Sequence, residues 1–281
     1  MIYRRQKLTK LNSEVQLVEV TKLNKLKHKN KFAWMVVERN EGARLAQQLQ
    51  KMCEFKQDLD IIVVDGNSSD GTRELLLEGT IDVSALLVSK AGMGFSTDLQ
   101  IGLIYAAKEG YLGVITSDGN GKDSVEDVQK FIKLLKEGSD FIQGSRFLES
   151  GKHSNTPFLR YLGIRFVASP YTSLIARIKI TDSTNGFRAY SKRLIESDRL
   201  GMNQKFFRGY SLVSFIPFFV GRNKFNFTEI SVRRDYPSTG ATPTKIVSPT
   251  QWLQIFLDLF RATFETYPRH RENDWLRFIE R

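Results

Sequence analysis

Four short, β-branched apolar runs, at residues 32–37, 61–64, 83–88 and 112–115, are each followed by a stretch whose apolar residues recur at helical spacing. This alternation limits the fold more than any other feature of the chain. Apolar runs without polar alternation read as strands buried on both faces. The helical stretches lie near 42–53, 70–78, 96–109 and 124–137, with Leu99, Leu103 and Ala106 showing the spacing. Such a succession buries both kinds of element only as an α/β fold, a mostly parallel central sheet with helices on both faces. Ligands in such sheets bind beyond the carboxyl ends of the strands, so residues 38–41, 65–72, 90–95 and 116–122 are the first places to look for chemistry. From residue 158 the pattern loosens into a long helix to about 178, a turn and strand over 182–191, a helix near 206–220 and a strand around 224–234.

The 281 residues carry a net charge of +11, which favours a polyanionic partner: nucleic acid, an anionic membrane surface or a phosphorylated small molecule. Much of the excess lies in residues 1–30, where only Glu14 and Glu19 oppose the lysines and arginines, and a solvated, partly helical basic extension is expected there. Cys53 is the single cysteine, which rules out an intramolecular disulfide and a cysteine-based zinc site and suits a reducing, cytoplasmic setting. The longest nearly apolar run, 212–220, falls short of the roughly 20 residues a spanning helix needs, so neither a membrane span nor a secretion leader is expected. Residues 31–245 read as the catalytic body. Residues 246–281 read as an amphipathic helical tail, with Trp252, Ile255, Phe256, Leu259, Phe260 and Phe264 at helical spacing.

Three segments are suited to chemistry. Asp65-Gly66-Asn67-Ser68-Ser69-Asp70-Gly71-Thr72 follows the second apolar run and puts a carboxylate and small residues at a strand end, with Asp70 opening the next helix. Thr116-Ser117-Asp118-Gly119-Asn120 follows the fourth; a carboxylate beside an amide oxygen suits a hard divalent cation completed by phosphates and water, with Asp118 the first ligand and Asn120 the second. The third cluster runs from Gln143-Gly144-Ser145-Arg146-Phe147 through Arg160, Arg165 and Ser169 to residues 182–188, and its arginines match phosphate oxygens. A phosphate-binding P-loop is excluded, since Thr116 and Asp123 stand where Gly and Ser or Thr are required around Gly121-Lys122. Gly92-Met93-Gly94 lacks the third glycine of a dinucleotide fingerprint, Thr97 standing in its place.

In this order, with Glu38-Arg39-Asn40-Glu41-Gly42 ahead of them, the segments resemble the family-two inverting glycosyltransferases of the GT-A nucleotide-diphospho-sugar transferase fold, and within them the dolichol-phosphate mannosyltransferase-like group. The resemblance covers about residues 31–245 and is most specific over 64–72. It implies that Glu41, Asp65, Asp118 and Arg188 bind the nucleotide sugar, and that Asp118 and Asn120 hold Mg²⁺ or Mn²⁺ on the diphosphate. It further implies that Arg146, Arg165, Ser169, Arg234 and Lys245 bind an acceptor phosphate, with residues 233–245 forming a flexible loop over the substrates. Asp182 is the candidate proton acceptor should the acceptor be a sugar hydroxyl. Two departures stand out: Thr116 replaces the first acid of the metal motif, and Gly66 replaces the acid that follows Asp65.

The expected reaction is transfer of a sugar from a nucleoside-diphosphate donor, GDP- or UDP-linked, to a polyprenyl-phosphate or glycan acceptor. Its expected place is the cytoplasm, with peripheral contact at the inner face of an anionic membrane; nucleic acid is not the expected partner. The competing readings are a catalytically weakened relative that binds RNA or membrane, and a nucleotidyltransferase, which would carry a glycine-rich basic phosphate loop after the first strand.

Overall fold

The computed structural model describes residues 30–79, 81–89, 94–202, 207, 209–238, 257, 259 and 260, and the backbone alone of residues 5–8 and 18–22. The strands are β1 (Arg5–Leu8), β2 (Val18–Lys22), β3 (Phe32–Glu38), β4 (Leu59–Asp65), β5 (Ala85–Val88), β6 (Gly113–Asp118), β7 (Phe141–Ser145), β8 (Lys152–Ser154), β9 (Arg188–Ser191), β10 (Phe227–Ser231) and β11 (Arg233–Asp235). The helices are α1 (Gly42–Met52), α2 (Thr72–Leu77), α3 (Phe95–Lys108), α4 (Val128–Lys136), α5 (Phe158–Leu162), α6 (Ser169–Ala176), α7 (Lys192–Ile195) and α8 (Ser211–Arg222).

Among the described residues the main sheet has the order β1-β2-β5-β4-β3-β6-β9-β7-β10. Its centre, β5-β4-β3-β6, is parallel, while β9 inserts antiparallel between β6 and β7. Each residue of β3 is buried, and alternate side chains enter two separate cores. Ala33, Met35 and Val37 pack with residues of α3 and α8, whereas Phe32, Trp34 and Val36 pack with residues of α1 and α4. This is the expected arrangement of helices on both faces, and it explains why the central runs show no polar alternation. Gly102 lets α3 lie close to the sheet: a Cβ there would stand 2.1 Å from Met35 Sδ and 2.8 Å from Val64 Cγ2.

Several boundaries differ from the sequence reading. β6 continues to Asp118, so Thr116, Ser117 and Asp118 are the last residues of a strand and not a turn. The helix expected from 158 to 178 is α5 and α6 joined through a π-helical stretch, Gly163–Ala168. The strand expected around 224–234 is two: β10 joins the main sheet beside β7, and β11 leaves it to pair with β8. The basic extension is strand where it is described, β1 pairing with β2 and β2 with the edge of β5. Of the expected tail, Leu257, Leu259 and Phe260 are described; they are helical, and Leu259 packs with Ala176 and Phe218.

Candidate active site

Three acids close the three central strands. Glu38 ends β3 opposite Asp65 at the end of β4, and Asp118 ends β6 opposite Val37. Asp65 is fully buried, and its Oδ1 accepts from the Ser68 backbone N at 2.8 Å and the Ser68 hydroxyl at 2.6 Å. Burial, then the Asp65 charge, push the Glu38 carboxyl up to about 9, so it is neutral at neutral pH. The loops after the two strands interlock: Ser69 N donates to Asn40 Oδ1 at 2.8 Å, Asn40 N to Ser68 Oγ at 2.8 Å, and Gly42 N to Thr72 Oγ1 at 2.9 Å. Glu41, at the start of α1, is buried and accepts from Arg44 at 2.9 Å. The place left by Gly66 is approached from α3, where Asp98 Oδ2 lies 3.0 Å from the position of an added Cβ. Burial lifts the Asp98 carboxyl to about 6.

The end of β6 is pinned from α1. Gln48 Nε2 donates to Asp118 O at 2.8 Å, and Gly121 N donates to Gln48 Oε1 at 2.7 Å. Asp118 faces Arg234 of β11, whose Nη2 donates to its Oδ2 at 2.5 Å, while Nη1 donates to Asp123 Oδ1 at 2.6 Å. Burial alone would raise the Asp118 carboxyl, but Arg234 and Lys122 hold it down to about 2. Lys122 is itself lowered to about 8, by burial and by the neighbouring guanidinium.

The Mg²⁺ or Mn²⁺ expected on Asp118 and Asn120 meets a donor set that does not suit it. Asp118 is charge-paired with Arg234, and Asn120 turns Nδ2 toward Asp118 Oδ2 at 3.4 Å. Thr116 Oγ1 donates to Gly186 O at 3.0 Å.

Other expected residues take different places. Asp182, the candidate proton acceptor, is fully buried and gripped by Arg146, with Nε to Oδ2 at 2.6 Å and Nη2 to Oδ1 at 2.8 Å. Burial would raise it, but Arg146 holds it below the usual carboxylate range, so it braces the arginine and is a poor base. Arg188 is turned into the protein, donating to the carbonyls of Asn185, Val213 and Ser183, and does not reach the strand-end acids. Arg165 is exposed on the outer face, beside Phe166 and Val167. Ser169 is buried and accepts from Ser183 N at 3.1 Å. Arg234 is not on a loop but in a strand, seated on Asp118. Lys245 lies outside the described residues.

Arg146, Arg160 and Arg234, unlike Arg165 and Arg188, all act on Tyr236. Arg160 Nη1 donates to its hydroxyl at 3.1 Å, and Lys122 Nζ stands 4.8 Å from its ring centre. Burial would raise the phenol, but Arg234, Arg146, Arg160 and Lys122 bring it down to about 8, which marks the spot as one that favours an anion. Asp98, Lys122 and Asp123 lie beside these residues although no motif assigns them a role, and Glu38 opens the first motif without being assigned one. The available signals are an acid among the apolar positions of a helix, for Asp98, and an opposite-charge pair directly after a strand end, for Lys122-Asp123.

The sequence pattern of the family described as Glycosyl transferase family 2 matches residues 34–198. An uncharacterised protein of Methanocaldococcus jannaschii is 33% identical over 156 residues, 52% of this chain and 62% of that protein. Polyprenol monophosphomannose synthase of Mycolicibacterium smegmatis is 27% identical over 177 residues, 61% of this chain and 65% of that protein. The chain thus spans less than two thirds of the length of these curated relatives. Among solved structures, glucosyl-3-phosphoglycerate synthase from Mycobacterium tuberculosis, in complex with Mn²⁺, UDP and phosphoglyceric acid, superposes with a TM-score of 0.55 at 16% identity, covering 83% of this chain and 78% of that one. The shared architecture is the GT-A fold.

Proposed function

Because the chain belongs to glycosyl transferase family 2, we propose that it is an inverting glycosyltransferase moving a sugar from a nucleoside-diphosphate donor to a polyprenyl-phosphate acceptor. The observation that carries this reading is the contact of Arg160 and Lys122 with Tyr236, with Arg146 and Arg234 near enough to act on its charge. A phosphate enters such surroundings as an anion. Its oxygen attacks the anomeric carbon, the bond from that carbon to the diphosphate breaks, and the electron pair stays on the diphosphate. Attack from the opposite side inverts the configuration.

No proton has to be removed from an anionic acceptor, so the engagement of Asp182 by Arg146 does not hinder the reaction. A glycan hydroxyl would need a free carboxylate, which Asp182 does not offer. Arg146 and Arg160 are the residues assigned to the acceptor phosphate, and Glu38, Glu41, Asp65 and Asp98 to the nucleoside. The name of the mycobacterial relative, a polyprenol monophosphomannose synthase, supports the acceptor class.

Membrane contact suits such an acceptor. The stretch from α5 to α6 exposes Phe158, Leu159, Phe166, Val167 and Leu174, with Arg165 and Arg177 among them. No helix of the described residues is long and apolar enough to cross a membrane, and this ridge fits the surface of an acidic bilayer.

The test is a panel of GDP-, UDP-, TDP- and CDP-sugars offered with a short polyprenyl phosphate or a neutral glycan, reading diphosphate release and the anomeric configuration of the product. Release with the phosphate acceptor and an inverted product is expected. Turnover with the neutral glycan alone refutes the acceptor. No release from any donor, together with salt-sensitive retention of RNA, favours the non-catalytic relative.

A further inference from the structure

The seat of Arg234 bears on how the leaving diphosphate is stabilised, and the inference rests on the glycosyltransferase reading above. Arg234 is only 5% exposed and sits between two acids, Asp118 on one side and Asp123 on the other. Its backbone is fixed on both flanks: β11 pairs with β8 in the register Arg234 to His153, Ser124 N donates to Arg233 O at 3.1 Å, and Asp235 N donates to Lys122 O at 2.9 Å. The guanidinium is therefore part of the sheet framework, at the end of β6 where the resemblance places a cation.

Arg234 already serves as the counter-charge of Asp118. Asp118 and Asp123 face Arg234 and Lys122, so a divalent ion on Asp118 would be set against a guanidinium that contacts the same carboxylate. Where the first acid of the metal motif would stand is Thr116, whose hydroxyl is spent on Gly186 O. A guanidinium carries five N–H donors in a planar fork, and Asp118, Asp123 and Asn185 engage three of them. The remaining donors match phosphate oxygens. The Asp118 side chain that contacts the fork is a quarter exposed, against 6% for Arg234 itself.

We propose that Arg234, braced by Asp118 and Asp123 and joined by Lys122, is the cation that faces the donor diphosphate, so that donor binding needs no divalent ion. As the bond between the anomeric carbon and the diphosphate breaks and the acceptor oxygen bonds to that carbon, the charge gained by the diphosphate meets a fixed guanidinium. Asp118 is then a positioning residue for Arg234 and not a metal ligand.

Calorimetric titration of the full chain with GDP and UDP, once in EDTA and once in MnCl₂, tests this without a substitution. The dissociation constant of the preferred diphosphate is expected to differ less than about twofold between the two. Arg234→Gln is expected to weaken binding in EDTA at least about tenfold, with Arg234→Lys intermediate, each variant checked for a native-like melting transition. Tenfold tighter binding in MnCl₂ than in EDTA by the unaltered chain overturns the inference and leaves the glycosyltransferase reading standing. Undiminished binding by folded Arg234→Gln also overturns it. Binding of no diphosphate under either condition overturns both.

Discussion

Glu38 and Asp65 put two carboxyls side by side at adjoining strand ends, and burial, then the neighbouring Asp65 charge, favour the protonated form of Glu38. Because the folded state holds the Glu38 proton up to about pH 9 while an unfolded glutamate loses it near 4.5, folding binds a proton between those values. The contribution of Glu38 is therefore complete below pH 4.5 and declines as pH rises toward 9. Glu38→Gln keeps the shape and a donor toward Asp65 but does not titrate. Its melting temperature relative to the unaltered chain is expected to rise steadily from pH 5 to pH 9, and a difference that stays flat would show that Glu38 is ionised in the fold. The identity of these acids was legible as strand-end residues, but their pairing was not. Likewise Asp182 and Asp118 were legible as site acids, whereas the arginines that hold them come from 36 and 116 residues away. Local spacing does not encode such partners, and they decide what each acid can do.

At the level of elements, the central strands and the helices between them were readable because each is a local pattern of the right period. β9 and β7 were not read in their places, since a short antiparallel strand inserted between two others is fixed by distant pairing, and β11 was absorbed into one longer strand for the same reason. The link between α1 and β6 shows what such pairing does for the site. Gln48, itself buried, answers two backbone groups at the half-exposed end of β6, the carbonyl of Asp118 and the amide of Gly121, and thereby sets the turn that aims Asp118 at Arg234. Gln48→Leu removes both hydrogen bonds, at about 0.5–1.5 kcal/mol each. The variant is expected to melt several degrees lower and to exchange the Gly121 amide with deuterium much faster, with diphosphate binding weakened. Unchanged protection at Gly121 would mean that the turn holds itself.

Over the whole molecule, a net charge of +11 and an exposed apolar ridge act together. On the proposed membrane reading, the positive charge would draw the chain to acidic lipid at long range, and the exposed Phe158, Leu159, Phe166 and Leu174 would supply contact once it arrived. Co-sedimentation with vesicles containing phosphatidylglycerol is expected to fall several-fold between 50 and 300 mM salt, and to fall similarly in Phe166→Ser/Leu174→Ser at low salt. That variant is expected to bind nucleoside diphosphate as before, because neither side chain touches the strand-end acids. Equal binding to uncharged vesicles would remove the electrostatic part of the account. The seat of Arg234 on β11 has a consequence of another kind. A positive charge made with the polypeptide is present once per molecule and survives dialysis, dilution and chelating surroundings. The output of such a protein would follow its own abundance and not the supply of trace manganese around it.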